Sequence, residues 1–161
     1  MKITARVRSA TVLILTLMTS TLALAQTSVP GTYRLVSFAI EVDGQPNPIF
    51  GQAPKGYAVI TATRFTTVIT AENRNFGKTT EEKAALWDSL IAYSGRYRLE
   101  GDKLITSVDT SWNESWNGTQ QARIWKLEGN RLHLTSVAPY SRDPSKTAVA
   151  RLVGSQCEID G

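Results

Sequence analysis

Two dipeptides, Gly101-Asp102 and Gly129-Asn130, each stand between runs that alternate apolar and polar, and these tight turns most narrow what the chain can become. A two-residue turn joins antiparallel neighbours and fixes their register, so the face of every flanking side chain follows by parity. Around Gly129-Asn130, Leu127 meets Leu132 and Trp125 meets Leu134, which sets Gln121, Arg123, Trp125, Leu127, Leu132 and Leu134 on one face. Ile124, Lys126, Glu128, Arg131, His133 and Thr135 form the solvent face. The same parity at Gly101-Asp102 turns Tyr97, Leu99, Leu104, Thr106, Val108 and Thr110 inward.

Further strands are expected over 32–42, ended by Asp43-Gly44, and over 57–62, 65–70, 95–100, 103–111, 119–128, 131–138 and 147–153. A Pro-rich loop occupies 45–54. The period changes once. Thr79-Thr80-Glu81-Glu82 is a capping box, and Ala84, Trp87, Leu90 and Ile91 follow at helical spacing, predicting a helix that fades near Tyr93 with Trp87 as its core anchor. The fold class is therefore mainly β, with eight antiparallel strands and one short helix. Strands of this number and length close most economically into an up-and-down barrel, which leaves no edge unpaired. Such a barrel is either filled by side chains or holds one small ligand, and a cavity of ~300 Å³ or more separates the two cases.

The first 25 residues read as a secretory signal. Lys2, Arg6 and Arg8 precede an uncharged apolar run from Ala10 to Leu24, and Ala23-Leu24-Ala25 supplies small residues before Gln26. The run is too short and too rich in threonine for the ~20 apolar residues of a spanning helix. The expected organisation is a signal over 1–25, cleaved after Ala25, and one barrel domain over 26–161, periplasmic or secreted, with no integral membrane segment after cleavage. The whole chain carries 18 basic and 14 acidic side chains. Without the three basic residues of the signal, the balance is nearly neutral, so the charge is no argument for nucleic acid as a partner. Cys157 is alone and has no internal disulfide partner.

Parity puts the Arg123 guanidinium among aromatic and aliphatic neighbours, where a charge is costly unless paired. Two readings stay open. Arg123 meets an internal carboxylate, with Glu41 the candidate if Tyr33, Leu35, Ser37, Ala39 and Glu41 point inward; or Arg123 and Gln121 are the few polar groups that orient a ligand in an apolar cavity. Trp112 and Trp116 lie in the loop beside a barrel mouth and read as packing more than as ligand contacts. The one histidine, His133, points outward, and Cys157 has no inward base nearby, so neither a Ser-His-Asp triad, a histidine metal site nor thiol catalysis assembles readily. No nucleotide or metal motif calls for a cofactor. Whether the chain is an enzyme stays open at this point, since a cofactor-free cyclase or isomerase could use tyrosine and arginine as acid and oxyanion donor.

The segment Gly31-Thr32-Tyr33-Arg34-Leu35-Val36-Ser37-Phe38 resembles the opening strand of the bacterial lipocalin-like domain proteins, with Tyr33 where a tryptophan is usual. Gly56-Tyr57, Tyr93-Ser94-Gly95-Arg96-Tyr97, the stretch Trp116 to Arg123 and Leu127 to Leu132 follow in that family's order and spacing. The resemblance implies a small lipocalin-like barrel with a cup-like interior and says little of activity. It also implies that Arg151 on the last strand approaches Tyr33. The reading that results is an exported binder of a small, partly apolar and possibly anionic molecule, hydrophobic or amphipathic, with Tyr57, Tyr97, Gln121, Arg123 and Trp125 as the binding residues. The alternatives are the cyclase or isomerase, and a filled barrel acting as an interaction module.

Overall fold

The computed structural model describes residues 28–141 and 143–157; the export signal expected over 1–25 lies outside them. The alternating runs form nine strands among the described residues. They are β1 (Gly31–Val42), β2 (Gln45–Asn47), β3 (Lys55–Ile60), β4 (Arg64–Thr70), β5 (Leu90–Glu100), β6 (Lys103–Ser111), β7 (Gln120–Glu128), β8 (Arg131–Tyr140) and β9 (Asp143–Gln156). One helix, α1 (Thr80–Asp88), joins β4 to β5. From β3 to β9 each strand pairs antiparallel with the next; β1 pairs with β3 on one side and β9 on the other. Eight strands thereby close a barrel, as expected, and β2 is a short addition beside the end of β1.

Turn chemistry explains these joints. Gly101 and Gly129 both take a φ of 59°, the left-handed value that a two-residue II′ turn needs at its first central position. The resulting pairs, Leu99 with Leu104 and Leu127 with Leu132, are those the parity gives. Asp43 and Gly44 both have positive φ and close a further hairpin onto β2, inside the stretch read from sequence as a loop.

Two bulges break the parity. On β1, Val36 is an extra residue between the pairs Leu35–Gly154 and Ser37–Val153. Beyond it the faces exchange: Phe38 is buried, while Glu41 lies outside and accepts from Arg151 Nη1 at 2.6 Å. Glu41 is therefore not the internal partner of Arg123, and Arg151 pairs opposite Ala39 rather than approaching Tyr33. On β6, Asp109 is the extra residue between the pairs Gly95–Val108 and Ser94–Thr110. Thr110, expected inward, is consequently exposed. Such insertions bend and twist a strand, which is what a closing sheet requires.

The capping box forms as predicted: Thr79 Oγ1 accepts from the Glu82 backbone, and the Glu82 carboxylate accepts from the Thr79 backbone. The helix ends earlier than its apolar spacing suggests. Leu90 and Ile91 belong to β5, paired with Thr70 and Ile69, because ladder bonds to β4 outcompete another helical turn. No residue of α1 is buried, and Trp87 is 54% exposed, so it is not a core anchor. The core sits instead at the end of the barrel that carries the tight turns. Tyr33, Ile60, Leu104 and Leu132 fill it, and Tyr33 Oη donates to the Val29 carbonyl at 2.8 Å.

On the outer face Asp109 takes a two-pronged hydrogen bond from Arg64, at 2.7 and 3.0 Å. That bond holds the Asp109 carboxyl below its usual range. A lowered folded value means stability that is complete above the unfolded value of about 3.9 and is lost as pH falls through the folded value. Asp109→Asn is thus expected to flatten the acid limb of the stability–pH curve and to lower the neutral and alkaline plateau by a constant amount, as read from urea midpoints. An unchanged acid limb would remove this ion pair from the account.

Candidate ligand-binding site

Opposite the packed end lies a cavity of about 110 Å³, open to the surface. Phe65 and Leu134 form its deeper wall; Phe38, Phe50 and Ile69 contribute a second apolar side, and Trp112 and Trp116 stand on the loop above. Its size is well under the ~300–1,000 Å³ of drug-sized sites and near the ~150 Å³ that admits benzene in an apolar interior. The hollow falls on the filled side of the ~300 Å³ division, and most of the barrel is occupied by side chains. What space is left suits one ring or a chain of a few carbons.

The strict alternation of β7 carries Gln121 and Arg123 into the cavity wall, as parity requires. Arg123 is opposite Leu104, which has no exposed surface, and its Cζ lies 5.0 Å from the Tyr93 ring centroid. Its Nη1 is buried with no hydrogen-bond partner among the described residues. Arg123 forms no ion pair with a carboxylate among the described residues. Gln121 donates to Thr119 Oγ1 at 3.2 Å.

The other three expected residues stand elsewhere. Trp125 and Tyr97 point inward but pack against the core of the closed end, beneath the cavity, and Tyr97 Oη donates to the Thr61 carbonyl. Tyr57 faces out, 48% exposed, with the Arg34 guanidinium 5.9 Å from its ring centroid. The parity of Trp125 and Tyr97 was correct and their depth was not, because alternation reports a face and says nothing of height along the barrel. Tyr57 lies between the half-buried Gly56 and the buried Ala58, on the opposite parity from Ala58 and Ile60.

Sequence reasoning missed Tyr93. It is 3% exposed, lines the cavity, and its hydroxyl has no hydrogen-bond partner among the described residues. Burial pushes that hydroxyl's pKa up, and the neighbouring Arg123 guanidinium opposes the rise. The available signal was the parity of Ile91, Tyr93 and Gly95, hidden while Leu90 and Ile91 were assigned to the helix. Tyr93 also joins the loop tryptophans to the core: its ring is 5.6 Å from Trp116, which in turn is 4.8 Å from Trp112. These tryptophans pack as expected and line the cavity too.

His133 is on the outer side, its Nε2 3.2 Å from the Glu128 carboxylate. Among the described residues no group of three or more His, Cys, Asp and Glu side chains is arranged to hold a metal ion, and no helix is long and apolar enough to cross a membrane. A separate open groove of about 490 Å³ runs beside α1, and Ile49 and Asp88 border both it and the cavity.

A closed antiparallel barrel with a small hollow at one end and a guanidinium in its wall defines a protein of the cup-shaped β-barrel class. More particularly, the chain belongs to the family of the lipocalin-like domain, whose model matches residues 30–156. No curated protein and no solved structure matches it.

Proposed function

We propose that this chain is an exported protein that binds one small, partly apolar molecule in the barrel cavity, with an anionic or hydrogen-bond-accepting group turned toward Arg123. The observation that carries the reading is that Arg123 belongs to the cavity wall while its buried Nη1 has no partner among the described residues. A buried donor left unsatisfied costs about 1–3 kcal/mol, and more when charged, so a complementary acceptor in the hollow removes a standing penalty. The cavity volume limits the buried part of the ligand to about the size of benzene. Export is supported by the basic start, the apolar run and Ala23-Leu24-Ala25; intact-mass measurement of the protein from its own host should show a chain beginning at Gln26.

Because Trp112 and Trp116 stand in the cavity wall, tryptophan emission reports occupancy. Titration with benzene is expected to give a saturable change in emission. A flat titration would favour the second reading, a barrel whose interior is full and which acts through its loops. The modest volume is the observation on that side. For the cyclase or isomerase alternative, the cavity-lining tyrosine beside Arg123 is Tyr93 rather than Tyr97, and turnover abolished by Tyr93→Phe would support it.

A further inference from the structure

Resting on the binding reading above, we infer that the ligand is a monocarboxylate carried on a single planar ring, its carboxylate held jointly by Arg123 Nη1 and Tyr93 Oη. Six buried side-chain polar atoms lack a hydrogen-bond partner among the described residues, and of these only Tyr93 Oη and Arg123 Nη1 belong to residues of the cavity wall. Thr106 Oγ1 and Trp125 Nε1, also without partners, belong to residues outside it. The two residues are adjacent, since the guanidinium carbon is 5.0 Å from the Tyr93 ring centroid and the guanidinium acts on the Tyr93 hydroxyl closely enough to oppose the rise in its pKa. Both have protons to donate, and a guanidinium has no acceptor to offer the hydroxyl. Their complement is a group with two acceptor oxygens and negative charge.

Charge and surroundings choose among such groups. A phosphate monoester brings close to two charges and three strong acceptor oxygens, more than two donors between Phe65, Leu134 and Leu152 can compensate. A carboxylate brings one charge and matches two donors. The rest of the wall chooses the body. Phe65 lies 5.6 Å from Tyr93 at an interplanar angle of 30°, and Trp116 meets Tyr93 edge-on, so the cavity is walled by ring faces and edges. A flat ring fits such walls in offset or edge-to-face contact and enters without losing rotors, whereas a flexible chain of equal size loses them. A volume of about 110 Å³, somewhat below the ~150 Å³ that holds benzene, leaves room for no more than one ring.

The test is a calorimetric titration of the mature chain with benzoate, hexanoate, 2-naphthoate and toluene under one buffer condition. Benzoate is expected to bind at least about tenfold more tightly than each of the others, the size of one charge-assisted hydrogen bond or more. Tyr93→Phe, which keeps the ring and removes only the hydroxyl, should weaken benzoate by roughly tenfold or more and collapse its preference over toluene. Arg123→Met should do the same, while Trp87→Ala, outside the cavity, leaves benzoate binding intact. Toluene binding as well as benzoate would overturn the carboxylate assignment and leave the binding reading standing. Hexanoate or 2-naphthoate equalling benzoate would overturn the single ring. Failure of all four to bind would sink the binding reading together with this inference.

Discussion

Phe65→Ala is expected to destabilise the barrel by about 3–5 kcal/mol, the usual cost of deleting a large aromatic side chain from a packed interior. Phe65 is 1% exposed, pairs its strand with Ile60 and Gly95, and packs its ring against Tyr93. For a domain of this size the loss corresponds to a fall of roughly 10 °C or more in Tm. Urea denaturation should show a lower midpoint with an unchanged slope, since the surface exposed on unfolding hardly alters. The same deletion has a functional readout. Phe65 lines the cavity, so the space it vacates joins the existing hollow and should raise the affinity for 2-naphthoate relative to benzoate. Trp87→Ala is the internal control. Its side chain is 54% exposed, and a loss of no more than about 0.5 kcal/mol is expected. If both substitutions destabilise alike, the division between packed barrel and outer helix is wrong.

Arg123→Met should move stability and binding in opposite directions. Removing a partly buried charge that has no carboxylate partner relieves desolvation, a gain of ~1–3 kcal/mol by analogy with apolar replacement of buried ion pairs. Against this stands the lost attraction between guanidinium and the Tyr93 ring, worth about 0.5–2 kcal/mol. At mid-range values the net is a gain of just under ~1 kcal/mol, within limits of ~1 kcal/mol lost and ~2.5 kcal/mol gained. Binding of a carboxylate should weaken by ~1.5–3 kcal/mol. A side chain retained at the expense of stability is one whose use lies in what it binds. If instead the variant is markedly less stable, Arg123 holds the barrel together and the site loses its anchor. Thermal denaturation beside a benzoate titration separates these outcomes in one preparation.

Much of the barrel follows from local rules. Gly101 and Gly129 supply the φ that their turns require, and the registers on either side are those that parity gives. The pattern of β7, alternately half-buried and exposed along its whole length, is written in the residues themselves. So is the capping box at Thr79, because its bonds span only three positions. The errors of face on β1 and β6 share one cause: alternation holds only while no residue is inserted. Val36 and Asp109 are such insertions, and nothing in their side chains distinguishes them from ladder residues; they exist because a closing sheet must bend. Once Val36 is absorbed, Glu41 and Phe38 exchange sides, and the internal partner proposed for Arg123 disappears.

Sequence alone therefore determined the antiparallel strands, the tight turns, the start of the helix and the inward face of Gln121 and Arg123, since each depends on neighbours a few positions away. Only the tertiary structure decided that Tyr97 and Trp125 fill the closed end, that Tyr93 stands beside Arg123, and that the hollow holds about 110 Å³. Depth and volume arise from eight strands leaning together around one axis. Such distances between strands far apart in the chain have no counterpart in local spacing.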